Sequence, residues 1–352
     1  MDFTPEPTQQ AVADVVNAVL DRENSWEAMV SGGVTALALP ERLGGDGVGL
    51  PEIGTALTEV GRHATVSPAL ATLGLGVLPL LDLATESQQD RYLEGVGHGA
   101  ILTAALNEPG ASLPDRPAVI LGGGRLNGVK VGVPYAKQAN WMLVSTDAGV
   151  VVVSPDADGV RLSPTPTSTG AAEFVVEFVD TAVDDGAVLD GVTSDGVTNR
   201  RVNQVAVAAI GAYAAGLMAG AVRLTADYVT QRHQFGRPLA TFQTVAAQLA
   251  EVYIASRTMG LASTSVIWRL SEGWDADEDL AVLSYWLTSQ APPAMQICHH
   301  LHGGMGMDIT YPMHRYYSSI KDLTRLLGGP AHRLDLLAGS HHDSSGAQCS
   351  SN

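Results

Sequence analysis

The chain has 352 residues, of which 45% are hydrophobic and only 5% aromatic, enough for roughly two to three domains around a sizeable core. Its formal net charge of −17 repels polyphosphate backbones and argues against nucleic-acid binding, so the acidity reads as a means of staying soluble. Cys298 and Cys349 are its only cysteines, which indicates no disulfide framework and suits a reducing cytoplasm.

The start, Met1-Asp2-Phe3-Thr4-Pro5, has neither a basic nor an apolar leader segment, so no signal peptide is expected. Residues 1–100 read as mostly helical. Val12, Val15, Val16 and Val19 recur at helical spacing over residues 9–20, with Thr8 as the expected N-cap. A glycine-rich turn at Gly44-Gly45-Asp46-Gly47 precedes a helix expected over 50–61, and further helical pieces are expected at 77–83 and 88–93. The most apolar stretch, residues 69–83, is short for a membrane span and interrupted by Gly and Pro.

Residues 101–196 change texture. Short β-branched runs at 119–121, 141–144, 150–153 and 174–179 alternate with Gly, Pro, Asp and Ser clusters, which predicts a small antiparallel sheet or barrel. Helical patterns return at 202–231, 244–271, 278–302 and 316–327, making a bundle of four helices within residues 197–338. Helices, then strands, then helices imply an α+β chain of three sub-domains. The polar, low-complexity residues 339–352 are expected to be disordered.

Two long motifs stand in the helical region. The first is Arg232-His233-Gln234-Phe235-Gly236-Arg237-Pro238-Leu239, followed by Phe242-Gln243. The second is His302-Gly303-Gly304-Met305-Gly306-Met307, with Tyr311-Pro312 and Arg315 behind it. Taken alone, Arg232 at a helix end is a solvated charge. The run Cys298-His299-His300-His302 invites a metal reading, but no acidic partners lie nearby and none is expected.

Together, in this order and spacing, the two motifs resemble the flavin-binding signatures of acyl-CoA dehydrogenases. Pro40-Glu41-Arg42-Leu43-Gly44-Gly45-Asp46-Gly47 with Glu59-Val60-Gly61-Arg62 resembles that family's first-domain pattern, so the likeness spans nearly the whole chain. The resemblance implies the family fold: an N-terminal helical domain, a middle β domain and a C-terminal four-helix bundle. It also implies FAD at a dimer interface, one subunit holding the isoalloxazine and its neighbour the pyrophosphate and adenosine end. Arg232, Gln234, Phe235, Leu239 and Gln243 fall on the neighbour's share, as do Gly303, Gly304 and Gly306. His300 stands where the family usually has glutamine. A guanidinium pairs with pyrophosphate oxygens, and glycines let the backbone come close.

The other half departs from the pattern. The family's Trp-Ile-Thr element aligns with Gly132-Val133-Pro134, in a register held by Asn127-Gly128, Lys130 and Asn140-Trp141. Its Thr-Glu-Pro-Gly-Ala-Gly-Ser-Asp appears as Asn107-Glu108-Pro109-Gly110-Ala111-Ser112-Leu113-Pro114, and its Asp-x-x-Arg positions become Gln204 and Val207. The glutamate base is missing from Leu326-Leu327-Gly328-Gly329-Pro330, and the alternative base position is Ala206. Asp322, Asp335, His314 and His332 read as surface residues, so no catalytic residue is assigned.

The chain thus resembles the base-less subunit of α2β2 actinobacterial acyl-CoA dehydrogenases acting on steroid side chains. That likeness implies a homologous catalytic partner, a shared FAD, and a cholesterol-derived acyl-CoA held mainly by the partner. Two alternatives stand beside it: a self-sufficient dehydrogenase with an unorthodox base such as Asp335, or a non-enzymatic scaffold.

Overall fold

The computed structural model describes residues 3–189 and 197–346. The chain divides into two compact units, one formed by Thr4–Val60 with Thr65–Ile210, the other built on Gly61–Ala64 and the chain from Gly211 onward.

The first unit opens with helix α1 (Pro7–Arg22), which buries Val12, Val16, Val19 and Leu20. Its N-cap is Glu6, two residues before the expected Thr8, because Pro7 at the first helical position is already set for helical φ. The Glu6 amide donates to Gln9 Oε1 at 2.8 Å, while Thr8 Oγ1 donates to Glu52 Oε1 at 3.0 Å. Helices α2 (Trp26–Ser31) and α3 (Leu50–Arg62) follow. A π-helical segment, Leu70–Val77, is buried throughout from Ala71 and runs into α4 (Leu78–Leu83); α5 (Glu86–Tyr92) comes next.

Two sheets complete this unit. One contains β1 (Leu102–Ala105), β4 (Trp141–Thr146) and β5 (Gly149–Val153), with β1 parallel to β4. The other has the order β2-β3-β7-β6: β2 (Ile120–Gly122), β3 (Arg125–Pro134), β7 (Glu173–Ala182) and β6 (Val160–Pro164), all antiparallel. Their inward residues, among them Val133, Met142, Val144, Val151, Phe174 and Val176, share one core. The parallel β1–β4 pair departs from the purely antiparallel sheet expected.

The N-terminal helices and the sheets fall within the same compact unit. Thr72 Oγ1 accepts from the Leu102 amide at 3.3 Å, and Gly76 is small enough that Leu102 packs directly on it. Gln88 Nε2 donates to the carbonyls of Gly186 and Val188 at 3.1 and 2.7 Å. The expected boundary at 196 lies outside the described residues.

The second unit is helical. Helix α6 (Val197–Gln231) contributes its length from Gly211, and a hairpin of β8 (His233–Gln234) and β9 (Arg237–Pro238) leads into α7 (Gln243–Ser271), α8 (Asp277–His302) and α9 (Met313–Leu326). Glycines set how closely the helices approach: a Cβ on Gly211 would stand 2.5 Å from Leu283 Cδ2, and one on Gly220 2.6 Å from Tyr316 Cε1. Tyr316 also donates to the Arg62 carbonyl at 2.8 Å. A fifth helix, α10 (Gly329–Gly346), packs on α8 and α9, so the helical backbone continues into the segment expected to be disordered. Residues 347–352 lie outside the described residues. Helix α6 is long and apolar enough to cross a membrane, but 89% of its apolar window is buried within the protein, as in a core helix.

Candidate functional site

The first motif folds as a tight hairpin on the end of α6. The Arg232 amide donates to the Tyr228 carbonyl at 2.8 Å, closing the last helical turn, and the Leu239 amide donates to the Arg232 carbonyl at 2.8 Å. Phe235 and Gly236 form the two-residue loop, both left-handed with φ +51 and +78. That combination matches the twist of a hairpin, and phenylalanine is an unusual residue in it. Arg232 and Gln234 are exposed, and Phe235 is 92% exposed, in edge contact with Phe242 at 6.2 Å. The Arg237 guanidinium lies 4.1 Å over the Phe242 ring. Leu239 begins the 3-10 turn Leu239–Thr241 and is half-buried; Gln243, exposed, is the first residue of α7.

The second motif closes α8. His300 is exposed in the last turn of that helix. Gly303, with φ +56, and Gly304 are exposed, and nothing lies within 4 Å of where a Cβ would stand on either. Gly306 is different: it is buried, and a Cβ there would meet His299 Nδ1 and its carbonyl at 3.2 Å. Its smallness serves packing beneath the turn, and the bare backbone of Gly303 and Gly304 serves approach from outside.

One contact joins the two motifs. The rings of Tyr228 and His302 stack with centroids 4.6 Å apart and 27° between planes, and Tyr311 stands 5.2 Å from His302. His302 Nδ1 lies 2.8 Å from the Cys298 carbonyl, which only accepts, so Nδ1 carries the proton. Burial lowers the His302 pKa, against the carbonyls of Cys298 and Leu224. His299 is lowered as well, by burial and then by His302 and His314. Among the described residues no three His, Cys, Asp or Glu side chains converge as metal ligands. Tyr228 and His302 escaped the sequence reading because their roles lie in a contact between residues 74 positions apart.

The other half of the expected flavin site is built differently. Gly132 is left-handed at φ +64, and the β3–β7 register slips between Lys130 and Val133. Val133 points into the core, and the Pro134 carbonyl accepts from Thr103 Oγ1 at 2.6 Å. These three residues offer no aromatic face, and Pro134 has no amide to donate. The surviving start of the nearby motif has a structural task. Glu108 Oε1 pairs with Lys130 Nζ at 2.8 Å, and its carboxylate also accepts from the amides of Ala118 and Val119 at 2.7 and 3.1 Å.

At the expected base position, α9 ends in a turn where Gly328 and Gly329 are both left-handed at φ +82. Arg333 is buried and donates from Nε to the Leu327 carbonyl at 2.6 Å; burial lowers its guanidinium to about 10. The helix end is thus capped by a cation where the family pattern has an acid. Ala206 is fully buried, Asp335 is exposed on α10 and Asp322 is half-buried on α9. An exposed guanidinium and the bare backbone of Gly303 and Gly304 are groups that fit the pyrophosphate end of FAD, whereas Gly132-Val133-Pro134 offers a flavin ring no aromatic face.

Comparison with known proteins agrees with this architecture. Residues 3–100 match the acyl-CoA dehydrogenase N-terminal domain and residues 201–337 the acyl-CoA dehydrogenase C-terminal domain. The chain is 68% identical over 350 residues to the acyl-CoA dehydrogenase FadE28 of Mycobacterium tuberculosis, covering 99% of each. Among solved structures it resembles a chain of the ChsE4-ChsE5 complex from Mycobacterium tuberculosis, with TM-score 0.87 and 26% identity over 97% of this chain and 99% of that one. It also resembles a chain of the Tcur3481-Tcur3483 steroid ACAD, with TM-score 0.88 and 27% identity over 96% of this chain and 98% of that one. The chain belongs to the acyl-CoA dehydrogenase family, a family of oxidoreductases.

Proposed function

We propose that this chain is the non-catalytic subunit of a heteromeric FAD-dependent acyl-CoA dehydrogenase, completing the flavin site of a homologous partner in an α2β2 assembly. The observation that carries this is the contrast within one chain. An exposed guanidinium, hairpin and glycine turn are ready for a nucleotide, while the base position is a left-handed glycine turn capped by Arg333. FAD, when bound, accepts the hydride that leaves the substrate β-carbon. Removal of the α-proton needs a side-chain base, and this chain offers none at either family position.

In this reading Arg232 pairs with the pyrophosphate, and Gly303 and Gly304 allow its close approach. Gln234, Phe235, Leu239, Gln243 and His300 complete the grip. Two solved relatives are themselves complexes of two different chains, and one is described as a steroid ACAD; these support a heteromeric assembly and a steroid side-chain acyl-CoA as substrate. Asp335, the base of a self-sufficient enzyme, is an ordinary exposed carboxylate on α10 and lends that reading no support.

The test is Arg232→Ala in the complex co-purified with the homologous partner. Loss of a charge-assisted contact weakens FAD binding by about 10- to 100-fold. Unchanged flavin affinity would reduce this chain to a scaffold, and a yellow, active chain purified alone would make it self-sufficient.

A further inference from the structure

The two flavin-end motifs lie far apart in sequence, and each is displayed by a short connection: a two-residue hairpin loop and a glycine turn. Arg232, Gln234, Phe235, Gly303 and Gly304 are all exposed on these connections. Something must fix their relative position if they are to grip one molecule. Tyr228 is one helical turn before Arg232 and receives its amide, and His302 is the residue immediately before Gly303. Their rings stack at 4.6 Å; His302 is 2% exposed and anchored by Nδ1 to its own helix at the Cys298 carbonyl. Tyr311 closes the cluster from the segment following the glycine turn, 6.4 Å from Tyr228 and 5.2 Å from His302. Gly306 allows that segment to fold back beneath the turn, against His299 and His302.

We propose that His302 is a positioning residue, which, through its stack on Tyr228, holds the Gly303-Gly304 turn at a fixed offset from the Arg232 hairpin and so sets the FAD affinity of the assembled site. The inference rests on the shared-site reading above and adds a residue that need not touch the flavin. An aromatic ring at position 302 is the essential feature, because the stack sets the offset and the Nδ1 bond serves only to orient the ring.

The experiment measures FAD dissociation constants for the co-purified complex carrying variants of this chain. His302→Ala weakens FAD by about tenfold, whereas His302→Phe restores affinity to within about twofold. Tyr228→Leu weakens FAD similarly, and the double variant His302→Ala/Tyr228→Leu is no weaker than either single change, as coupled residues require. Wild-type affinity in His302→Ala, no rescue by phenylalanine, or additive losses in the double variant each overturn the proposal. Should His302→Ala fail to assemble, Tyr228→Leu decides, and wild-type affinity there overturns it. Arg232→Ala, run in parallel, separates the two ideas. If it too leaves FAD unaffected, the shared site itself fails; if it weakens FAD while the stacking variants do not, only the positioning role fails.

Discussion

Replacing Lys130 by methionine tests whether Glu108 survives in this chain for folding and not for flavin chemistry. Lys130 has no exposed side-chain surface, and Glu108 has 6%. The ammonium is held by Glu108 Oε1 and by Ser145 Oγ, each at 2.8 Å. Burial pushes the Glu108 carboxyl up, but Lys130 and the amides of Ala118 and Val119 together hold it below its ordinary value. Lys130→Met leaves that carboxylate buried without its counter-charge, held only by the two amides, at a cost of roughly 3–5 kcal/mol. Unfolding entropy of about 2.1 cal/mol/K per residue, over 352 residues, turns this into a fall in melting temperature of about 4–7 °C when the chain melts as one. The double variant Lys130→Met/Glu108→Gln removes the buried charge, keeps an acceptor for one of the two amides and loses less than the sum of its single changes. The pH dependence has a definite sign. In the wild type Glu108 is depressed, so its contribution is present above about pH 4.3 and is lost as pH falls through the folded value. In Lys130→Met the lowering by Lys130 is lost and burial is opposed only by the amides of Ala118 and Val119, so the carboxyl rises from its wild-type value and the deficit shrinks as pH falls through the carboxylate range. Thermal melts across that range are the assay. A Lys130→Met melt within about 1 °C of wild type at pH 7, or a pH-independent deficit, refutes the reasoning.

Phe235→Gly separates strain from binding: relief of a left-handed residue, roughly 1–2 kcal/mol, is largely offset by glycine's extra chain entropy, roughly 0.5–1 kcal/mol. Chain stability therefore stays within about 1 kcal/mol of wild type in denaturant titrations, while FAD affinity of the complex falls about tenfold through loss of an aromatic contact; unchanged affinity removes the hairpin tip from the site. Gly61→Ala places a Cβ 2.1 Å from the Tyr213 carbonyl, so it costs about 1–3 kcal/mol in the same titration, and a neutral result contradicts the close helix approach. Gly328→Glu supplies a carboxylate at φ +82, with strain of roughly 1–2 kcal/mol. It brings no acyl-CoA oxidation to the chain alone if, as proposed, the partner holds the ring end of the flavin; turnover by that variant would count against the proposed division of labour.

Much of this architecture was legible in the sequence because it rests on periodicity. The apolar spacing in 202–231, 244–271 and 278–302 foretold α6, α7 and α8 nearly to their ends, and the β-branched runs foretold β4, β5 and β7. In the strands that escaped, such residues are few or interrupted. β3 carries Gly128, Lys130 and Gly132 and owes its place to a buried ion pair and a register slip; β1 is Leu-Thr-Ala-Ala and is defined by its parallel partner β4. Helix α10 escaped because two left-handed glycines look like an ending, whereas here they turn the chain into another helix, whose Arg333 caps the end of α9. In the candidate site, Arg232, Gln234, Phe235, Gln243, His300, Gly303 and Gly304 are exposed, whereas Leu239 is half-buried and Gly306 is buried. The aromatic stack that ties them together belongs to tertiary structure, and no spacing along the chain reports it.

The most direct test of the division of labour is a count. The complex of this chain with its homologous catalytic partner is purified, its subunits are quantified by mass, and its flavin is quantified by absorbance after release. One flavin for every two chains is the predicted result, and one flavin for every chain would contradict it.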